Sequence, residues 1–258
     1  MTCTTVKQTN KIIEIIGPPG VGKSTLYNAL CKHWQPDLRW TYPDILLSVG
    51  KPSVVDFKKW IEYKLRIALG KKRARSISVD YGLRFISENE EFASLCWNHL
   101  SNSDASICSD LDKRYRSAYF LFADFCRYQA LKETSNKKLC LLEEGFLQKS
   151  FLISKNGSPL PHFIEAYLSF IPLPHAVICL DVENSTIISS RLRQRHKVIA
   201  SHIGKDDKGL IEETEKWQQT LNFILHELEK KGVLIYRVDG TNTLEENTRH
   251  IARILDEI

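Results

Sequence analysis

Gly17-Pro18-Pro19-Gly20-Val21-Gly22-Lys23-Ser24-Thr25 is the stretch whose reading decides the fold. Its three glycines let the backbone curl tightly, with consecutive N–H groups turned toward one point. Lys23 adds a cation at the rim and Ser24 a hydroxyl. Just before it, Lys11 to Ile16 (KIIEII) is a short β-branched run, read as a buried strand. Just after it, Lys23 to His33 places Leu26, Ala29 and Leu30 on one helical face, and Pro36 stops the helix. The order is strand, glycine loop, helix.

That order is the context a phosphate loop (Walker A) requires, and the nine residues satisfy GxxxxGK[ST] in full. The loop amides and the positive end of the helix should hold the phosphates of ATP or GTP. Lys23 is expected on the outer phosphates and Ser24 on a bound Mg²⁺. GTP is the poorer ligand, because a guanine-reading [NT]KxD is missing. SNKK lacks the aspartate, and the DDKG at Asp206 to Gly209 follows no apolar strand.

Working outward, apolar runs at Trp40 to Tyr42, Leu139 to Leu142, His175 to Leu180 and Val233 to Val238 read as further strands. Helical patterns cover Val54 to Leu69, Glu88 to Leu100, Lys113 to Lys132, Pro161 to Phe170, Leu210 to Lys230 and Leu244 to Ile258. Another helix begins at Asn184 or Ser185 and runs to about Arg195. Strands alternating with helices predict an α/β protein: a three-layer P-loop NTPase fold, with a parallel five-stranded sheet and helices on both faces. Residues 51–110 read as a helical insertion on the substrate side, and 191–208 as a lid-like segment.

Phosphoryl chemistry beside such a loop needs a carboxylate at the end of a neighbouring strand. Glu143 and Glu144 follow the apolar LCLL. One would hold magnesium, Glu143 being the candidate, and the other would accept a proton; the sequence does not divide the roles. Asp44 and Asp181 are rivals. In RLRQRHK, Arg191 and Arg195 are four apart and share a helical face, so they could close over transferring phosphates, while Arg193 points elsewhere.

The chain resembles the P-loop kinases of small molecules, in the nucleoside- and nucleotide-kinase group, at GPPGVGKST, RLRQR and LLEEG and in its order of elements. The resemblance implies transfer of the γ-phosphate of Mg-ATP to a small acceptor, and places Gly240 to Thr243 near the adenine. LFADFCRYQ, Leu121 to Gln129, is similar to the substrate-side helix of thymidylate kinases, which makes Arg127 a candidate substrate contact. Those enzymes carry Asp-Arg where this chain has Glu143-Glu144-Gly145, so thymidylate is not carried over as substrate.

The 258 residues, 43% hydrophobic, suffice for one large core. Seven cysteines occur without a CxxC pair, so a zinc or redox site is not expected. No apolar run approaches the ~20 residues that cross a bilayer. MTCTTVKQTNK lacks a secretory apolar segment. A cytoplasmic protein is expected. The basic KKRAR, Lys71 to Arg75, comes without interleaved aromatics and reads as a solvated helix end. An NTPase switch and a nucleic-acid 5′-hydroxyl kinase are the alternative readings.

Overall fold

The computed structural model describes residues 11–47, 57–58, 60–61, 77–101, 111–150, 161–194 and 204–258. β1 (Ile12–Ile16) feeds the glycine loop and then α1 (Lys23–Lys32). β2 (Trp40–Thr41) and α2 (Pro43–Leu46) follow, with Pro43 opening the helix where proline costs no hydrogen bond. Next come α3 (Val79–Glu88), α4 (Glu90–Ser101), α5 (Leu111–Lys132), β3 (Leu139–Leu142), α6 (Phe146–Lys149) and α7 (Pro161–Phe170). β4 (Ala176–Asp181), α8 (Ser185–Arg193), α9 (Asp207–Lys230), β5 (Leu234–Asp239) and α10 (Leu244–Glu257) complete the described chain.

The five strands are all parallel, in the order β2-β3-β1-β4-β5. β1 is central and buried along its whole length, as a doubly covered parallel strand must be. Side chains alternate along it. Ile13 and Ile15 enter one layer with Leu26 and Leu30 of α1, Ile188 and Leu192 of α8, and Ile251 and Leu255 of α10. Ile12 and Ile16 enter the other, against α3 to α7 and most of α9. The second layer is aromatic: Phe85 stacks on Phe125 at 4.5 Å between centroids, and Phe92, Tyr128, Phe146 and Tyr167 close around them.

The helix expected over Glu88 to Leu100 is α4, beginning at Glu90, whereas α3 ahead of it has no counterpart in the sequence reading. Asn89 separates the two, its side chain donating to Phe85 O. Ser78 caps α3 by accepting from Asp80 N, at the position an N-cap serine favours. Phe57, Lys58, Trp60 and Ile61 are helical, within the 54–69 helix expected from sequence. The remaining positions of 54–69, residues 102–110, the KKRAR run and Arg195 lie outside the described residues. Among the described residues no helix is long and apolar enough to cross a membrane. Cys96, Cys126, Cys140 and Cys179 are free thiols.

Candidate functional site

β1 ends and the chain turns under itself at Gly17. A side chain there would meet Leu180 O at 2.2 Å, so the loop begins pressed against the end of β4. Gly22, at φ 110°, occupies a backbone region closed to most residues and launches α1 without a capping side chain. The first turn of α1 carries no acid. The amides of the loop and first turn therefore present an uncompensated positive end. Lys23, largely buried, folds inward: Nζ donates to Gly17 O at 2.7 Å and Pro18 O at 3.1 Å. Its ammonium lies inside the curl of the loop.

This is a P-loop fold. No family model and no curated protein matches the sequence. Solved structures do resemble the chain over nearly its whole length. The deoxyadenosine kinase from M. mycoides with bound dATP aligns with a TM-score of 0.47 at 12% identity, covering 95% of this chain and 98% of that one. Shikimate kinase from Bacteroides thetaiotaomicron aligns with a TM-score of 0.41 at 13% identity, covering 96% and 98%. Both neighbours are kinases by name.

A cleft of about 710 Å³ opens over the loop. Pro19 through Thr25 form one wall. Glu144, Gln148 and Lys149 form a second wall, Arg191 and Gln194 a third. Gly240 and Asn242, in the β5–α10 loop, line it too. Gly240 N donates to Asp181 O at 2.6 Å and Asn247 Nδ2 to Asp239 O at 2.8 Å, which fixes that loop.

Arg191 joins two of these parts. One terminal nitrogen donates to Val21 O at 3.1 Å and the other to Gly240 O at 3.0 Å. A guanidinium carries five N–H donors, so these bonds orient it at the rim without using its whole capacity. Arg193 points away, donating to Asp207 and Lys205 O, and so ties the two ends of the 194–204 segment together. Lys205 in turn pairs with Glu213 of α9.

The acidic pair divides. Glu144 is half exposed, lines the cleft, and pairs with Lys149 at 3.5 Å. Glu143 is not among the lining residues. Asp181 faces elsewhere, accepting from Val182 N at 2.8 Å and Gln218 at 3.0 Å. Asp44 is exposed in α2, outside the cleft lining. Lys149 also approaches Asp124 of α5 at 3.5 Å, and Asp124 accepts from Arg127 at 3.1 Å. Asp124, Arg127 and Glu144 border a small niche at the end of β3. Arg127, named from sequence, thus stands two side chains away from Glu144.

Sequence reasoning missed Gln148, Lys149, Asp124 and, above all, Glu14. Gln148 Oε1 accepts from Gly17 N at 3.3 Å and joins the turn after β3 to the phosphate loop. Glu14 sits mid-strand in β1, 1% exposed, between Leu142 and Val177 of the neighbouring strands. Its carboxylate accepts from Phe146 N at 3.1 Å and Leu147 N at 3.0 Å. The signal was present: a lone glutamate inside a run of isoleucines.

Burying an isolated carboxylate costs several kcal/mol, and each bond to a charged acceptor returns ~1.5–3 kcal/mol. Burial outweighs the two bonds. Desolvation pushes the Glu14 carboxyl up to about 7, against the two amide bonds that lower it; Asp124 raises it further and Lys149 lowers it. A raised value means that the folded chain binds the proton more tightly. The group's contribution is full below its ordinary value of 4.5 and is lost as pH rises through about 7. From pH 5 to 8 the wild type should therefore lose stability relative to Glu14→Gln, by on the order of 3 kcal/mol at most. Parallel thermal melts across that range check this; parallel curves for the two proteins would refute it.

Proposed function

We propose that this protein transfers the terminal phosphate of Mg-ATP to a hydroxyl or phosphate group of a small acceptor, a nucleoside or nucleotide being the first class to try. What carries the reading is one cleft lined by the phosphate loop, the carboxylates of Glu144 and Glu213, Lys149 and Arg191. A binding switch needs the loop and a magnesium site. An acid free of the metal has its use where a proton must be removed.

The donor set fits magnesium. Mg²⁺ prefers oxygen ligands, keeps several waters, and takes one or two protein groups beside substrate phosphates. Ser24 would hold it, its other positions filled by phosphate oxygens and waters, which leaves Glu144, the one of the pair that faces the cleft, for the proton. Bound there, Mg²⁺ would neutralise charge between the outer phosphates.

The chain's own residues account for the rest. Loop amides and Lys23 hold the phosphates and stabilise negative charge as it spreads toward the leaving oxygen. The acceptor oxygen attacks the γ-phosphorus in line, the bond from that phosphorus to the bridging oxygen of ADP breaks, and Glu144 takes the acceptor's proton. Arg191 adds positive charge at the rim and fixes the loop against Gly240.

Acceptor-dependent ADP release over nucleosides, nucleotides, sugars and antibiotics tests the proposal. Turnover that is equal with and without every acceptor would defeat it. Arg191→Ala should raise the KM for ATP and lower kcat, together costing about 10- to 100-fold in kcat/KM. Steady-state kinetics beside a melting curve will show whether the loss exceeds that of stability.

A further inference from the structure

A carboxylate in the middle of a buried central strand calls for a reason that packing does not supply. Ile12 and Ile16, its neighbours on the same face, show what packing alone selects there. We propose that Glu14 is a positioning residue, whose carboxylate clamps the turn after β3 so that Glu144 faces the cleft and Gln148 reaches the phosphate loop. The kinetic part rests on the phosphoryl-transfer reading above; the structural part does not.

Four observations build the clamp. The two oxygens of Glu14 accept separately from the consecutive amides of Phe146 and Leu147, a two-point grip on the start of α6. Gly145 lies flat against the carboxylate: a Cβ there would sit 2.1 Å from the Glu14 carboxyl carbon and push the carboxylate out of its grip. From the far side, the Tyr167 hydroxyl donates to Phe146 O at 2.7 Å. Gln148, in the same short helix, accepts from Gly17 N. Asp124 and Tyr128 of α5, Lys149 of α6 and Tyr167 of α7 are the titratable groups that face the carboxylate.

β1 therefore sets both walls of the cleft. Its C-terminal end becomes the phosphate loop at Gly17. Two residues short of that end, Glu14 holds the turn that carries the acid. The separation between nucleotide and proton acceptor is then fixed by one strand rather than by two loops, and a displacement of about 1 Å between reacting groups can cost ~10²-fold in rate.

The test uses full-length Glu14→Gln, which keeps the side-chain shape but offers one acceptor and an opposed NH₂, and Glu14→Leu, which keeps the volume alone. Three quantities are read: amide hydrogen exchange at residues 145–149, Mg-ATP affinity by calorimetry, and kcat with the best acceptor. The clamp predicts exchange at Phe146 and Leu147 about tenfold faster or more, kcat lower by about 10- to 100-fold, and a Kd for Mg-ATP within about threefold of wild type. Unchanged exchange at these amides in Glu14→Gln overturns the proposal, as does faster exchange with unchanged kcat. If the wild type shows no acceptor-dependent ADP release, the transfer reading has failed, and exchange alone decides the clamp. Should Glu14→Leu not fold, Glu14→Gln decides by itself.

Discussion

Replacing Lys23 by alanine is expected to lower phosphoryl transfer by about 10³-fold or more. The ammonium lies within the loop, 2.7 Å from Gly17 O and 3.1 Å from Pro18 O. A cation held there acts on phosphate charge in a sheltered site, where electrostatic terms exceed their value in water. Its preorganisation is local, since both carbonyl partners belong to the loop. The variant leaves those two carbonyls without this donor, so stability should fall by only about 1–2 kcal/mol. Mg-ATP affinity should drop as well, because the same charge serves the ground state. Rapid-quench measurement of transfer with calorimetric titration separates the two effects. Transfer within threefold of wild type would remove the loop from the chemistry.

Glu144→Gln should cost about 10²- to 10³-fold in kcat, with Mg-ATP binding nearly intact. Glu143→Gln should change kcat by no more than about threefold. Glu144 lines the cleft and Glu143 does not. The amide keeps the shape of the carboxylate and loses its basicity, which makes it the informative change. It also loses the ion pair with Lys149, but that pair is half exposed and contributes little, ~1 kcal/mol at most. A large loss from Glu143→Gln with a small one from Glu144→Gln would invert the assignment.

The sequence carried the frame of the molecule well. Strand and helix patterns are strong where one period dominates, as in KIIEII, LCLL and Leu244 to Glu257, and the five strands stand where those runs lie. The loop was legible because its chemistry is local: glycines, lysine and serine are contiguous, so no tertiary contact is needed to assemble them. The opposite wall was not. Gln148 meets Gly17 across 131 positions, and Glu14 meets Phe146 across 132. Nothing in the spacing of either segment announces such a pairing. Adjacent Glu143 and Glu144 look alike in sequence; only the course of the turn after β3 sets one toward the cleft. Arg191 and Arg195 were paired by helical spacing, yet the structure describes only Arg191, as a bridge between two loops.

The two-residue alternation of β1 gives Glu14 a further consequence, for folding. A slip of one position in strand pairing would turn that carboxylate into the aliphatic layer formed by Ile13, Ile15, Leu26 and Leu30. Two backbone donors greet it on the correct side; that layer is built of hydrocarbon. A mispaired sheet would thus strand a charge in oil, whereas an all-isoleucine strand would tolerate either alignment. The same acid that sets the spacing of the cleft also rejects wrongly threaded chains.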